Sequence, residues 1–243
     1  MKLIIEKDYK GISKRAAKEI LKIINNKENS ILGLATGSSP IGLYEELIKL
    51  NKENVVDFSK VTTINLDEYI GISSNHPQSY RYFMNNTLFN HINIDKKNTY
   101  VPNGNAEDMK VECIGYDKNI RDLGGIDVQL LGIGGNGHIA FNEPDEELIL
   151  GTHVTGLTES TIKANSRFFD SVDEVPKNAI TMGLGEIMKA KSIILIASGE
   201  GKAEAIAKLF SGKITTKSPA TLLAVHNDVT VIIDEQAASL LNK

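Results

Sequence analysis

The chain is expected to fold as α/β, a Rossmann-like, mostly parallel sheet with helices on both faces. Three observations point there. Short β-branched runs recur along the 243 residues, longer amphipathic segments lie between them, and several of the apolar runs lead straight into a glycine turn. No repeat, low-complexity tract or Pro/Gly/Ser linker divides the sequence, so one domain over residues 1–243 is expected. The least regular stretch, from about Pro144 to Pro176, is either a lid or a long surface excursion.

Taken in order, Lys14 to Ile24 has an amphipathic helical pattern, and Ser30 to Leu34 is the first clear strand. Thr36-Gly37-Ser38-Ser39-Pro40 follows it and introduces a helix over Ile41 to Leu50, with Leu43, Leu47 and Leu50 on one face. Ser39 suits the N-cap and Pro40 the first helical position. Val61 to Ile64 is a second strand, closed by Asn65-Leu66-Asp67-Glu68-Tyr69. Asp127 to Leu131 is a third and runs into Gly132-x-Gly134-x-x-Gly137. Ser192 to Ala197 is a fourth, followed by Ser198-Gly199-Glu200-Gly201-Lys202, and Val229 to Ile233 is a fifth.

Composition narrows the function. A net charge of -4 and a pI near 5.8 give no basic field, which argues against sequence-independent nucleic-acid binding. Cys113 is the only cysteine; it reads as core filler in a chain suited to a reducing compartment. Met1 to Glu6 meets an acid before a signal-peptide segment can form, and no window approaches the roughly 18 apolar residues of a membrane span. A cytoplasmic protein is expected.

Four places carry chemical promise. Thr36, Gly37, Ser38 and Ser39 offer hydroxyls and helix-start amides to an anion, although a plain strand-to-helix turn fits them equally well. No Gly-Lys-Ser/Thr follows, so this is not a Walker A loop. Asp67 and Glu68 end a strand where open α/β sheets bind ligands. Side chains alternate along a strand, so only one of the two can face a given ligand. With an ordinary pKa of about 3.9, Asp67 would be ionised and able to take a proton, yet this motif alone favours a solvated helix cap over a base.

The third place is the glycine loop after Leu131. It matches the dinucleotide fingerprint literally, but its last glycine leads into His138-Ile139-Ala140-Phe141-Asn142-Glu143-Pro144 rather than a helix, and Glu159 lies in a helix-start context. NAD is therefore not expected. Glycines on one side of His138 and Glu143 on the other set it apart from His76, His91, His153 and His226, and a carboxylate partner would orient it and make it more basic. Asp67, His138 and Glu143 could ligate a divalent ion, but no diagnostic spacing supports a metal. The fourth place is Lys202, a cation at a helix start, which is unfavourable unless an anion sits there. Arg167 could add a bidentate phosphate clamp, though surface arginine is the commoner fate.

Taken together, Leu34-Ala-Thr-Gly-Ser-Ser-Pro40, Asn65-Leu-Asp-Glu-Tyr69, His76-Pro-Gln-Ser-Tyr80, Gly134-Gly-Asn-Gly-His-Ile-Ala-Phe-Asn-Glu-Pro144 and Ala164-Asn-Ser-Arg-Phe-Phe169 resemble the glucosamine-6-phosphate deaminase family. The matches run in the family's order from about residue 30 to 225. The resemblance implies conversion of glucosamine 6-phosphate and water to fructose 6-phosphate and ammonia, in amino-sugar catabolism. It implies ring opening by His138, supported by Glu143 and Asn136, and proton transfer from C2 to C1 by Asp67. It places Ser38, Ser39, Arg167 and Lys202 at the substrate phosphate and requires no cofactor.

Two departures from the family pattern matter. Position 136 is Asn where one common pattern has Asp, so Asn136 can orient His138 but cannot share its proton. Asp145 to Thr155 is acidic and lacks the basic cluster that members activated by N-acetylglucosamine 6-phosphate carry, and the chain ends at Lys243, short of their C-terminal extension. An unregulated monomer is expected. The rivals are a 6-phosphogluconolactonase, which needs no base at position 67, and a non-catalytic sugar-phosphate sensor, for which no DNA-reading element is present.

Overall fold

In a computed structural model, residues 1–158, 162, 171 and 174–241 are described. The strands are β1 (Lys2–Glu6), β2 (Ile31–Leu34), β3 (Thr62–Asn65), β4 (Asp67–Tyr69), β5 (Thr99–Tyr100), β6 (Val128–Leu131), β7 (His153–Gly156), β8 (Asn178–Thr181), β9 (Ser192–Ala197) and β10 (Val229–Asp234). The α-helices are α1 (Tyr9–Asn26), α2 (Ile41–Lys52), α3 (Tyr80–Thr87), α4 (Met109–Asp122), α5 (Leu184–Met188) and α6 (Ala203–Leu209).

Seven strands form one sheet in the order β1-β10-β9-β6-β2-β3-β5, and every neighbouring pair in it is parallel. The chain leaves β2 toward β3 on one side and returns from β6 toward β9 on the other. The order therefore reverses between β2 and β6, and a crevice opens beyond their carboxyl ends. Since crossovers between parallel strands are right-handed, α1 and α2, which lead one way along the sheet, and α4 and α6, which lead the other way, belong on opposite faces. Central strands must then be apolar on both sides, and β2 and β6 are buried throughout. Each Leu or Ile so buried contributes roughly 1.5–3 kcal/mol.

All five expected strands form, with ends shifted by one residue at most places. Strands β1 and β5 were not expected. β1 is an edge strand with Leu3 and Ile5 exposed, and β5 has only two residues, so neither carries a burial pattern of its own. A second, antiparallel sheet of three strands, β4-β8-β7, was also not foreseen. It corrects the reading of Asp67 and Glu68 as a solvated cap, because both lie in β4 and are buried. Its strands are short and β4 opens on two acids, so periodicity could not reveal it.

Helix α2 starts one residue away from the expected register. Pro40, not Ser39, takes the N-cap, and no side chain of the helix caps it. Tyr9 does that work from α1. Its hydroxyl accepts from the Gly42 N–H at 2.8 Å and reaches the carbonyls of Ser38 and Ser39 at 3.1 Å. Fully buried Tyr44 donates its hydroxyl to the Ala35 carbonyl at 2.5 Å. The loop that ends β2 is thus anchored by two tyrosines. Among the described residues, no helix is long and apolar enough to cross a membrane.

Candidate active site

The crevice between β2 and β6 is a cleft of about 480 Å³ lined by Thr36 to Ser39, Asp67, Tyr80, the loop from Gly132 to Phe141, and Lys202. Asp67 from one stretch of sequence and Asn136 and His138 from another line this one cleft. Glu143 stands behind His138. Arg167, Glu159 and most of residues 159–173 within the Pro144 to Pro176 span lie outside the described residues.

The alternation of β4 separates its two acids as expected. Asp67 faces the cleft. Glu68 points the other way and anchors the start of α3, where it accepts from the N–H groups of Tyr69, Tyr80 and Arg81 at 2.9, 2.8 and 3.0 Å and from the Ser79 hydroxyl at 3.0 Å. Asp67 is 7% exposed. Burial, with a smaller push from the neighbouring Glu68 charge, raises its pKa to about 8. This corrects the expectation of an aspartate ionised by ordinary behaviour: desolvation disfavours the charged form, and the base is held close to neutral pH instead.

The loop after β6 is shaped around His138. The Gly134 amide donates to the His138 carbonyl at 2.9 Å, and the Gly137 amide to the Gly134 carbonyl at 3.0 Å. The imidazole lies flat against Gly134, where a Cβ would come within 2.4–2.6 Å of the ring, so position 134 must be glycine. Gly137 has φ +89°. No helix follows it; Ile139 and Asn142 instead form an isolated antiparallel bridge, so the glycine fingerprint does not build a dinucleotide loop.

His138 Nδ1 is 3.2 Å from Glu143 Oε2. The same oxygen accepts from Asn136 Nδ2 at 2.7 Å, and Asn136 Oδ1 accepts from the His138 amide at 3.1 Å. A carboxylate on Nδ1 fixes the ring and leaves Nε2 as the free nitrogen for proton exchange. Asn136 therefore orients both partners without titrating.

The opposite lip of the cleft suits an anion. Gly37 adopts φ +85°, and among the described residues no protein group takes the amides of Thr36, Gly37, Ser38 or Ser39. Lys202 ends a short 3₁₀ turn, Glu200–Lys202, that leads into α6. Burial lowers the pKa of its ammonium, and among the described residues it has no carboxylate partner. A desolvated, unpaired cation beside free amides favours a phosphate.

Two further residues shape the site: Tyr80, whose string His76-Pro-Gln-Ser-Tyr80 counts toward the resemblance without a role for the tyrosine, and Asp234, which carries no sequence signal. Tyr80 lines the cleft and stacks on Phe141 with centroids 6.2 Å apart and planes at 12°. Asp234, at the end of β10, accepts from the Gly199 amide at 3.0 Å and from the Ala237 amide at 2.8 Å, holding the turn that presents Lys202. Only the parallel pairing of β10 with β9 brings Asp234 there. Among the described residues, no three His, Cys, Asp or Glu side chains converge as a metal set.

The family of glucosamine-6-phosphate isomerases/6-phosphogluconolactonase matches residues 7–232. The chain is 63% identical over 241 residues to the glucosamine-6-phosphate deaminase of Clostridium perfringens (strain 13 / Type A), covering 99% of this chain and 100% of the relative. It is 59% identical over the same length to that of Clostridium beijerinckii, again with 99% and 100% covered. A solved monomeric glucosamine-6-phosphate deaminase superposes with TM-score 0.96 at 47% identity, covering 99% of this chain and 100% of that one. The 6-phosphogluconolactonase from Trypanosoma cruzi, with TM-score 0.78 and 20% identity, shares the fold alone. With a match running nearly end to end and the deaminases far nearer than the lactonases, the chain belongs to the glucosamine-6-phosphate isomerase/6-phosphogluconolactonase family.

Proposed function

We propose that this cleft performs the glucosamine-6-phosphate deaminase reaction, taking glucosamine 6-phosphate and water to fructose 6-phosphate and ammonia, with the roles that follow. The 6-phosphate sits on the amides and hydroxyls of Thr36 to Ser39 and on Lys202, with Arg167 as a further clamp. His138, oriented by Glu143 and Asn136, protonates the ring oxygen and relieves the C1 hydroxyl of its proton, which opens the sugar to its aldehyde. Asp67 then takes the C2 proton, made acidic by the C1 carbonyl, while His138 returns to O1 the proton it had taken from it, and Asp67 delivers its own proton to C1. The enolamine formed in between becomes a C2 iminium. Water adds to C2, the C2–N bond breaks, and nitrogen leaves as ammonia. Because water cleaves a carbon–nitrogen bond, we class the enzyme as a hydrolase acting through an isomerase-type proton transfer.

One observation carries this reading: a buried carboxylate held near neutral pKa lines the same cleft as a carboxylate-oriented histidine. A base must be matched to its working pH and an acid/base pair must be oriented, and the two demands are met in one place. The enzyme is further proposed to act as a cytoplasmic monomer without an allosteric activator, as its acidic segment after Pro144 and its single cysteine favour.

The test is stoichiometric ammonia release from glucosamine 6-phosphate, coupled to detection of fructose 6-phosphate, with a metal chelator present. Equal yields of both products are expected. Tight sugar-phosphate binding without ammonia would overturn the reading in favour of a sensor. Hydrolysis of 6-phosphogluconolactone in its place would favour the lactonase.

A further inference from the structure

The two chemical centres of the cleft reside on different parts of the chain, and β8 stands between them. Asp67 pairs directly with Thr181 across the β4–β8 ladder, so their side chains share one face of that sheet. The Thr181 hydroxyl oxygen, fully buried, accepts the Phe141 N–H at 3.2 Å. One residue further, the Met182 N–H donates to the Leu66 carbonyl at 2.7 Å, and the Met182 carbonyl accepts from Asn142 Nδ2 at 2.9 Å. The end of β8 therefore grips the base strand on one side and the loop between His138 and Glu143 on the other.

Asn142 belongs to the Gly-His-Ile-Ala-Phe-Asn-Glu-Pro string but has no part in proton transfer. Its carboxamide is 4% exposed, and Nδ2 also donates to the Ile139 carbonyl at 3.1 Å. Two carbonyls facing one end of the side chain require the NH₂ there. Its other end, Oδ1, is buried without a hydrogen-bond partner among the described residues, which is costly for a residue kept only for packing. Between the two bonded ends, Ala140 is held at φ +52°, a conformation that a non-glycine residue adopts only when its surroundings dictate it. The loop is being forced into one shape.

We infer that Asn142 and Thr181 are positioning residues that clamp the His138–Glu143 pair at a fixed distance from Asp67, so that ring opening and proton transfer act on one bound sugar without its moving. This inference rests on the roles proposed above for His138 and Asp67.

The test compares Thr181→Val, which keeps the volume and loses the acceptor, Thr181→Ser, which restores it, and Asn142→Asp, which puts an oxygen against the two carbonyls. Competent sites are counted by binding of 2-amino-2-deoxyglucitol 6-phosphate, the substrate with C1 reduced, which cannot close a ring. Thr181→Val and Asn142→Asp are expected to lose about ten- to a hundredfold in kcat per competent site, as misplacement of reacting groups does, with KM and alditol binding within about threefold of wild type. Thr181→Ser should recover most of the loss. A merely structural role would lower yield and melting temperature while leaving kcat per site intact, and that result would overturn the clamp. So would a Thr181→Ser enzyme as slow as Thr181→Val. Asp67→Asn and His138→Gln are measured alongside. If either turns over normally, the assigned roles fall; if both are inactive and the clamp variants are not slowed, only the clamp falls.

Discussion

Asp67 and Asp127 are each 7% exposed, yet they lie at opposite ends of the sheet and their pKa values shift in opposite directions. Asp127 precedes β6. Burial pushes it up, but Lys191 and Lys27, each 2.7 Å or less from its oxygens, and the Ile31 N–H at 2.7 Å overcome that push and lower its pKa. Asp67 is the more strongly desolvated of the two, has among the described residues no compensating cation, lies beside a carboxylate, and rises to about 8. Surface exposure alone does not decide the sign; the strength of desolvation and the charges and donors that share the burial set it together. The amino end of the sheet uses its aspartate to tie strands together, and the carboxyl end keeps one for chemistry.

Neutralising each aspartate should break this comparison in different ways. Asp67→Asn is expected to cut kcat by about 10²–10⁴, the range a positioned general base supplies, while alditol-phosphate binding persists. Turnover above a tenth of wild type would show that the base lies elsewhere.

The pH profile sharpens the same point. If Asp67 must be ionised, kcat/KM of the wild type should rise with pH and level off above about 8. A plateau already reached at pH 6 would contradict the raised pKa. The same group bears on stability with a definite sign. The folded chain holds a proton on Asp67 that the unfolded chain releases above about pH 4, so the stability it contributes falls as pH rises from about 4 to about 8. Asparagine has no such dependence. The melting temperature of Asp67→Asn should therefore gain on wild type across that window and keep a constant lead above it; calorimetry at pH 5, 7 and 9 checks this.

Lys202→Ala comes next in size. It should raise KM by about tenfold, roughly the 1.4 kcal/mol expected of one charge-assisted contact, with little change in kcat at saturation. Equal losses in both would place Lys202 at the reacting carbons instead of the phosphate. Asp127→Asn is the smallest. Its lysine partners are 39% and 63% exposed, so solvent screening limits the loss to about 1 kcal/mol, or a melting point lower by about 2–4 °C, with activity unchanged. Since the folded pKa of Asp127 is lowered, its contribution is present above about pH 4 and disappears as pH falls through the folded value. The gap between variant and wild type should close in acid.

How much of this was legible beforehand can be traced residue by residue. Ile31 to Leu34, Val128 to Leu131 and Ser192 to Ala197 announce a parallel sheet, because strands covered on both faces must be continuously apolar. Their glycine exits announce where a ligand binds. Asp67, His138, Glu143, the Thr36 to Ser39 loop and Lys202 could be picked out singly, since each breaks a local rule at the end of a strand. Not legible were Thr181 opposite Asp67, Tyr9 beneath the Ser38–Ser39 turn, and Asp234 under Gly199. Each acts on a partner 29 or more residues away, and no local period encodes such a pairing.

The sequence by itself determined the fold class, the family and the residue types that the chemistry needs, because periodicity, turn chemistry and a long ordered string of motifs are all local properties. Tertiary structure decided which acid of the Asp67-Glu68 pair faces the cleft, how strongly it is desolvated, and how the histidine loop is locked beside it. Those quantities depend on what packs against a side chain from distant parts of the chain, and the energy of a charge depends on that surrounding medium more than on its covalent neighbours.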